Sequence, residues 1–275
     1  LGHYLQQNGH EVHFAGYEKS YDFMNQHGCS HLHRIPREVR LEGEQGFFSL
    51  KRTLWNSKWI AFDLVRSALS VYRLIRKYRY DCVVCDTMYG GVIAARLSRL
   101  PVIFVTNQNH FDGHNGATNP VWQILNIMIR RYIRLADRIL IPDYPPPDTV
   151  SEYNLVIPEG DKDRYVFCGP FYVFDPTRYV YESRTIFTSF GGEPYKLPMY
   201  QTLKRIADRR TDLNFDVFYT GAELQESSEN FRSHGYVPNL YEYLARARIA
   251  IVHGGLTTLH EALLFEKPVL IIMDP

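Results

Sequence analysis

The stretch I-A-I-V-H-G-G-L-T-T-L-H-E-A-L-L-F-E-K-P-V-L-I-I-M-D-P, from Ile249 to Pro275, decides the fold class of this chain. It opens with Ile249 to Val252, a β-branched run typical of a strand that is buried on both faces. A pair of glycines then predicts a turn, and Leu256 to Phe265 follow the pattern of a helix. Val269 to Ile272 predict a second buried strand. A strand, a glycine turn, a helix and a strand form the repeating unit of a parallel α/β sheet.

The helix of such a unit begins at the edge of the sheet where ligands bind. Its free N–H groups and positive dipole end suit a phosphate. Gly254 and Gly255 leave room for a ligand to approach the backbone. A purely structural interpretation is also open, because T-x-x-E from Thr258 to Glu261 is the pattern of a helix capping box. His253 is equally compatible with an ordinary loop histidine.

The whole string H-G-G-x-T-T-x-x-E, followed by an apolar helix, a proline and a strand, resembles the donor-binding signature of nucleotide-sugar glycosyltransferases of the GT-B type. The resemblance implies that the turn holds the diphosphate and that the glutamate holds the ribose hydroxyls. The residues expected to bind the donor here are His253, Gly254, Gly255, Thr257, Thr258 and Glu261. Fixed N–H dipoles would stabilise the departing nucleoside diphosphate, so no metal or other cofactor is expected to be required.

Composition limits the class of protein. The chain has 275 residues, 45% hydrophobic and 22% charged, which is typical of a globular protein with room for two α/β domains. A net charge of +1 gives no global field for nucleic acid. The four cysteines do not suggest a disulfide scaffold, which favours a reducing compartment and a cytoplasmic location. Cys82 and Cys85 have C-x-x-C spacing inside an apolar run, which favours core cysteines over a redox pair.

Strands that alternate with helices predict an α/β protein, and the resemblance implies two Rossmann-like, doubly wound parallel sheets that face a cleft. Residues 1–170 are expected to form the acceptor-binding domain, 171–184 a linker, and 185–275 the donor-binding domain. Strands are expected at 11–15, 31–35, 81–85, 101–106, 138–142, 185–189, 215–219, 234–237, 249–252 and 269–272. Helices are expected at 21–27, 50–78, 90–98, 120–135, 197–209, 240–247 and 256–265. The first strand, the loop after it and the closing helix are expected to be missing from the two ends.

Two further loops of the second domain are expected on the same sheet edge as the glycine turn. The resemblance implies that one of them reads the base of a uridine or related nucleotide, so the donor is expected to be a UDP-sugar. The residues of these loops are Ser189, Gly191, Gly192, Tyr236 and Val237. The alternatives are a simple tight turn for the glycine pair and a core aromatic for Tyr236. Asp274 is the remaining candidate for a contact to the sugar.

In the first domain, D-C-V-V-C-D-x-x-Y-G-G at 81–91 and L-P-V-I-F-V-T-N-Q-N at 100–109 resemble the peptidoglycan N-acetylglucosaminyltransferases. That family glycosylates a lipid-linked sugar on the cytoplasmic membrane face. The resemblance implies a hydroxyl acceptor, lipid-linked, and transfer with inversion. T-N-Q-N departs from the family's H-E-Q-N by losing a histidine and an acid, which puts the same acceptor chemistry in doubt.

An inverting transfer needs a general base for the acceptor hydroxyl. Family members often keep it in the first N-terminal loop, which this chain is expected to lack. Asp86 and His110 are the candidates within the chain. The alternative for Asp86 is that it caps the helix that follows.

Residues 51–80 carry eight Lys or Arg side chains and one acid, Asp63, a net charge of +7. Aromatic and aliphatic residues are interleaved with them. This pattern predicts an amphipathic helix in peripheral contact with an anionic membrane. The alternative is a basic surface helix whose aromatic residues belong to the core.

These patterns predict a glycosyltransferase that uses a nucleotide sugar. One alternative is an enzyme similar to UDP-N-acetylglucosamine 2-epimerase, which would keep the donor site. A second is a non-catalytic, membrane-tethered subunit of a split glycosyltransferase. A dehydrogenase is disfavoured, because no G-x-G-x-x-G follows a predicted strand.

Overall fold

The computed structural model describes residues 1–39, 42–111, 120–171, 181–182, 184–221, 224, 228–237 and 239–272. The chain divides into two compact units. The first comprises Leu1–Arg40 and Trp55–Phe171, and the second comprises Leu41–Leu54 and Tyr172–Pro275. Residues 41–54, which the sequence placed in the first domain, thus group with the second unit. Most of the predicted linker at 171–184 lies outside the described residues.

The elements follow in chain order. Up to residue 78 they are α1 (Gly2–Gln7), β1 (Phe14–Gly16), α2 (Glu18–Gln26), β2 (Leu32–Arg34), β3 (Gly43–Glu44), β4 (Phe47–Phe48), α3 (Leu50–Asn56) and α4 (Ile60–Tyr78). The rest of the first unit contains β5 (Val83–Asp86), α5 (Tyr89–Leu97), β6 (Val102–Val105), α6 (Pro120–Ile133), β7 (Arg138–Ile141) and β8 (Tyr165–Phe167). The second unit continues with β9 (Thr185–Ser189), α7 (Leu197–Ala207), β10 (Asn214–Phe218), β11 (Phe231–His234), α8 (Tyr241–Arg246), β12 (Ile249–His253), α9 (Leu256–Leu264) and β13 (Val269–Ile272).

Parallel sheets form the centre of each unit. In the first, β5, β6, β7 and β8 lie side by side in that order, and β1 pairs in parallel with β2. In the second, the order is β11-β10-β9-β12-β13, and every described pair of neighbours is parallel. The prediction of an α/β chain with two Rossmann-like parallel sheets is therefore confirmed.

Central strands bury their side chains on both faces. Phe104 and Ile139 are fully buried in the first unit, and Phe187, Val217 and Val252 are fully buried in the second. Such strands read as continuous apolar runs in sequence, which is why β9 and β12 lie at or within one residue of the predicted bounds. Strand β13 also has its predicted bounds, but it is an edge strand of the described sheet with Leu270 and Ile271 exposed, so the prediction that it is a buried strand was wrong.

Some sequence expectations were wrong. The strand expected at 234–237 is instead β11, Phe231–His234, with Phe231 buried and Tyr236 exposed. The expected helix from residue 50 to 78 is two helices, α3 and α4, separated at residues 57–59. Strand β8 and the β3–β4 hairpin were not predicted. The hairpin glycines lie so close to Tyr195 and Met199 that a Cβ would overlap them, which explains its place in the second unit.

A buried carboxylate fixes the start of α5. Glu38 is 3% exposed and accepts hydrogen bonds from the backbone N–H groups of Tyr89 and Gly90, both 2.8 Å long. It also accepts one from the Ser67 hydroxyl, 2.8 Å long. A Cβ at Gly90 would lie 2.6 Å from the Glu38 Oε1 atom and 2.7 Å from the Ser67 Oγ atom. Gly90 is therefore required by the close packing of α5 on α4, not by an acceptor.

The cysteines form no disulfide bond. All four cysteines are free; Cys85 is buried, whereas Cys82 is exposed and is not the core residue that was expected. Within the described residues, none of the helices combines the length and apolar character needed to cross a bilayer.

Candidate donor and acceptor sites

The turn from β12 to α9, residues His253 to Gly255, is called the donor turn below. It lies at the carboxyl end of a strand that has neighbours on both sides, with Val252 paired to Ser189 of β9 and His253 to Ile272 of β13. Gly254 and Gly255 are exposed, and His253 is partly exposed. Loops at this edge of an open parallel sheet are where ligands bind in doubly wound folds.

The fold itself does not require glycine in the donor turn. Neither Gly254 nor Gly255 has a positive φ, and Gly255 has φ −68°. A Cβ at Gly254 would come no closer than 3.7 Å to another atom, and one at Gly255 no closer than 3.9 Å. Within the described residues, neither conformation nor packing requires glycine at these two positions.

Helix α9 begins without a capping box. Its N-cap residue is Gly255, so Thr258 and Glu261 lie inside the helix. They therefore cannot form the T-x-x-E capping box that was the structural alternative in the sequence. Thr257 is exposed, and Thr258 is partly exposed. Glu261 is partly buried, and this burial raises the pKa of its carboxyl to about 7.

The loop after β9 lies beside the donor turn. Ser189 is partly exposed, and Gly191 is exposed with a φ of +86°, which favours glycine. The conformation of Gly191 therefore agrees with the alternative stated for this glycine pair, a simple tight turn. Gly192 is partly exposed.

Tyr200, which the sequence analysis did not select, holds the loop after β9 in place. Its side chain is fully buried on α7. The Phe190 N–H donates to the Tyr200 hydroxyl oxygen over 2.7 Å. That hydroxyl lies 2.8 Å from the Phe218 carbonyl oxygen and 3.0 Å from the Gly191 carbonyl oxygen. One side chain thus links the carboxyl ends of β9 and β10.

Tyr236 and Val237 follow β11 at the same edge, with β10 between β11 and β9. Tyr236 is 38% exposed, so it is not the core aromatic that was the alternative. Val237 packs against the core beneath α8, which leaves its backbone as the part able to contact a ligand. The Asp274 position lies outside the described residues.

A buried charge network supports this loop, and no periodic pattern in the sequence predicts it. Asp216 of β10 is 1% exposed. Its Oδ1 atom lies 2.7 Å from the His234 Nε2 atom, and its Oδ2 atom accepts a 2.8 Å hydrogen bond from the Arg246 guanidinium. His234 is the last residue of β11, so the network fixes where the following loop begins.

In the first unit, Asp86 ends β5 and its side chain is open to solvent at the carboxyl edge of the sheet. Partial desolvation by the surrounding protein raises its pKa above the ordinary value. It does not cap α5, whose N-cap is Met88 and whose first N–H groups bind Glu38. Thr87 has a φ of +51°, a strained conformation for a β-branched residue, and such outliers concentrate at functional sites.

His110 is held by α6. Its Nδ1 atom lies 3.3 Å from the amide nitrogen of Asn126 and 3.4 Å from a guanidinium nitrogen of Arg130. Both partners are donors, so Nδ1 is an acceptor and the proton is assigned to Nε2. Asn109 beside it is fully buried and bonded to both backbone groups of Val156, so this asparagine of T-N-Q-N is structural.

Comparisons with known proteins agree with this architecture. Residues 1–144 match Glycosyltransferase Family 4, and residues 207–275 match the glycosyltransferase family 28 C-terminal domain. An uncharacterized glycosyltransferase of Methanosarcina mazei is 27% identical over 289 residues, which cover 100% of this chain and 74% of the relative. The glycotransferase of kitacinnamycin has a similar structure, with a TM-score of 0.62 at 17% identity over 99% of this chain and 75% of its own.

A more distant relative is named for a lipid-linked reaction. The UDP-N-acetylglucosamine–N-acetylmuramyl-(pentapeptide) pyrophosphoryl-undecaprenol N-acetylglucosamine transferase of Thermosipho melanesiensis is 24% identical over 112 residues. The match covers 41% of this chain and 33% of the relative.

The fold and these comparisons define a glycosyltransferase enzyme of the GT-B class, which confirms the resemblance found in the sequence. More particularly, the chain belongs to Glycosyltransferase Family 4, which matches more than half of its length. Such an enzyme takes a nucleotide-sugar donor and an acceptor.

The raised pKa of Glu261 predicts a pH-dependent effect on stability. Since its pKa is higher in the folded chain than the ordinary 4.5, the folded state binds a proton more tightly, and stability falls as the pH rises from about 4.5 to about 7. Glu261→Gln should therefore raise the melting temperature more near pH 8 than near pH 5. Calorimetry of both proteins tests this, with the exposed Glu229→Gln as control. An equal effect at both pH values would contradict the buried carboxyl.

Proposed function

We propose that this enzyme transfers a sugar from a UDP-sugar to a hydroxyl group of a lipid-linked acceptor, with inversion at the anomeric carbon. The observation that carries the donor half of the proposal is the exposed donor turn, whose glycines the fold does not need. A turn of this kind at the start of a helix offers N–H groups and a positive dipole end to a diphosphate.

Each donor-site residue then has a role. The Gly254 N–H and the hydroxyls of Thr257 and Thr258 bind the diphosphate, and His253 donates to it. Gly255, whose own N–H donates to the His253 carbonyl oxygen over 2.6 Å, leaves room for the diphosphate to approach. These groups stabilise the negative charge that the nucleoside diphosphate gains as it leaves.

The nucleoside is bound by residues on either side of the turn. Glu261 accepts hydrogen bonds from the ribose hydroxyls, and the backbone of Tyr236 and Val237 reads the base. Ser189, Gly191 and Gly192 form the wall beside the diphosphate, because β9 is the neighbour of β12.

The chemical step is a single displacement. The acceptor hydroxyl oxygen attacks the anomeric carbon while the bond from that carbon to the diphosphate oxygen breaks, and its proton passes to a general base. Asp86 is suited to this role, because it is accessible and its raised pKa makes it a better base than an ordinary aspartate. Attack from the face opposite the leaving group inverts the configuration.

His110 is less suited to act as the base. Its Nδ1 lone pair already accepts from Asn126 and Arg130, which leaves the Nε2 proton to be donated. We assign it the role of holding the acceptor by a hydrogen bond.

A face of α4 supports a membrane-bound acceptor. Ser67, Ala68, Val71 and Ile75 are its buried residues. Its opposite side presents Phe62, Val65 and Leu69, which are exposed, and this apolar face is named α4-out. The helical repeat of 3.6 residues places Arg66 and Arg73 on the same side. An exposed apolar strip flanked by basic residues is the arrangement of helices that lie in a membrane interface.

Two tryptophans that precede α4 are also exposed. Trp55 is 81% exposed and Trp59 is 66% exposed, so neither is the core aromatic that the alternative required. Tryptophan side chains favour the level of lipid headgroups, and the net charge of +7 over residues 51–80 attracts an anionic surface.

Nucleotide binding tests the donor half. Titration with UDP, GDP, ADP and TDP should show the tightest binding for UDP. His253→Ala should weaken UDP binding about tenfold, the effect of losing one charge-assisted hydrogen bond. His10→Ala, an exposed histidine of the first unit, is the control. Equally weak binding of all four nucleotides, unaffected by His253→Ala, would remove the donor site.

Asp86→Asn tests the base. With labelled UDP-N-acetylglucosamine and a panel of lipid-linked hydroxyl acceptors, the substitution should lower kcat by about 10² to 10⁴ and leave UDP affinity unchanged. It should also remove the acid limb of the pH profile, because the wild-type rate falls when Asp86 takes up a proton. Asp81→Asn, two residues before the same strand, is the control. Retention of the acid limb in Asp86→Asn would assign the base to another residue.

Vesicle binding tests α4-out. The protein should bind phosphatidylglycerol vesicles better than phosphatidylcholine vesicles, and added salt should release it. Replacing both Trp59 and Phe62 with Glu should weaken binding at least tenfold, since each large apolar side chain contributes about 1.5 kcal/mol or more when buried. Tyr153→Glu, at an 87% exposed residue of the same unit, is the matched control. Indifference to vesicle charge, or an equal loss in Tyr153→Glu, would count against the surface.

A further inference from the structure

Three histidines and one glutamate gather at the amino ends of β1 and β2. His13 directly precedes β1, His31 directly precedes β2, and His33 lies within β2. Because the two strands are parallel, with Phe14 paired to Leu32, these imidazoles come to the same edge of the first unit. It is the edge opposite to the strand ends proposed to hold substrates.

The distances within this group are close to those between the ligands of one metal ion. The His13 Nε2 atom lies 3.0 Å from the Glu11 Oε1 atom. One ligand atom from each of Glu11, His13 and His31 can be chosen so that all three lie within 4.8 Å of one another. Ligands of a tetrahedral zinc ion with bonds of about 2.0 Å are about 3.3 Å apart. Glu11 and His31 are exposed, so their side chains are free to move the remaining distance.

We propose that Glu11, His13 and His31 bind a divalent transition-metal ion, and that Zn²⁺ fits this ligand set. Two imidazoles and a carboxylate are the ligand types that zinc accepts, with water at the fourth position. The group is not part of the donor site, where no metal is invoked.

The orientation of His13 supports the assignment. Its side chain is only 5% exposed, and its second ring nitrogen, Nδ1, lies 3.1 Å from the His33 Nε2 atom. A metal-binding histidine almost always donates its other N–H to a protein acceptor, which fixes the ring and the tautomer. His33 is placed to be that acceptor.

The backbone and the neighbouring aromatic rings hold the group in place. His31 has a φ of +52°, an uncommon conformation for a residue with a side chain, and its ring stacks on His13 with centroids 4.5 Å apart. Tyr78, at the end of α4, and Tyr80, just before β5, contact the His13 ring at centroid distances of 4.5 and 5.1 Å. The Tyr80 hydroxyl is buried and has no hydrogen-bond partner in the described part of the chain.

The position of the proposed metal site next to the core predicts that the ion stabilises the first unit. Packed against the same elements is a core cluster that includes Ala15, Ile35, Val71 and Tyr80. A metal bound to residues before β1 and β2 would fix these strands to each other at the edge of that cluster, so it is expected to stabilise the first unit without taking part in transfer.

Calorimetric titration of the tag-free full chain with ZnCl₂ tests the proposal. The wild type should bind one equivalent of Zn²⁺ and melt at a higher temperature with Zn²⁺ than with a chelator. Co²⁺ should bind in its place and give the visible absorption of a four-coordinate ion. His31→Ala and Glu11→Gln, both at exposed positions and therefore safe for folding, should each weaken Zn²⁺ binding by at least tenfold, and His13→Gln on the order of 100-fold.

Two control variants make the result specific. His10→Gln changes a nearby exposed histidine outside the group, and Cys29→Ser removes the thiol whose Sγ atom lies 4.0 Å from the His3 Nε2 atom. Both should bind Zn²⁺ as the wild type does. The proposal is overturned if none of the ions binds, if His31→Ala and Glu11→Gln bind as tightly as the wild type, or if only Cys29→Ser loses binding.

Discussion

The free N–H groups at the start of a helix need a partner, and the two units of this chain meet that need in different ways. In the first unit, α5 starts against the buried carboxylate of Glu38, which accepts from two of its N–H groups. In the second, α9 starts after two exposed glycines, and its N-cap residue has no side chain. One helix start is capped by a carboxylate from within the protein, and the other has no side-chain cap and is the one proposed to bind a diphosphate.

This difference bears on the acceptor. A diphosphate of a lipid-linked acceptor cannot use the N–H groups of Tyr89 and Gly90, because Glu38 already occupies them and an added negative charge would be repelled. The sequence around Tyr-Gly-Gly suggested an acceptor loop at this point. The structure shows instead that Gly90 and Gly91 are buried packing positions.

The sequence predicts those features of the fold and of the candidate site that depend on residues close together in the chain. The donor turn was predictable, because a buried strand, a glycine pair and a helix lie in one continuous stretch. The role of Glu38 was not, since it caps a helix 51 residues further along the chain. The hydrogen bonds of Tyr200 and the Asp216 network likewise join separate strands. Periodicity predicted that α4 is amphipathic, but it did not show that the apolar residues Phe62, Val65 and Leu69 lie on the exposed side.

Strand polarity separates the functions proposed for the first unit. Residues at the carboxyl ends of its strands, such as Asp86, are accessible and are proposed to carry the chemistry. At the amino ends, the His13 ring packs against Tyr78 and Tyr80, and His31 is exposed beside it. A cation at the amino ends would stabilise the sheet from the side opposite to the substrates, so loss of the metal would weaken the fold without removing any group that contacts the sugar.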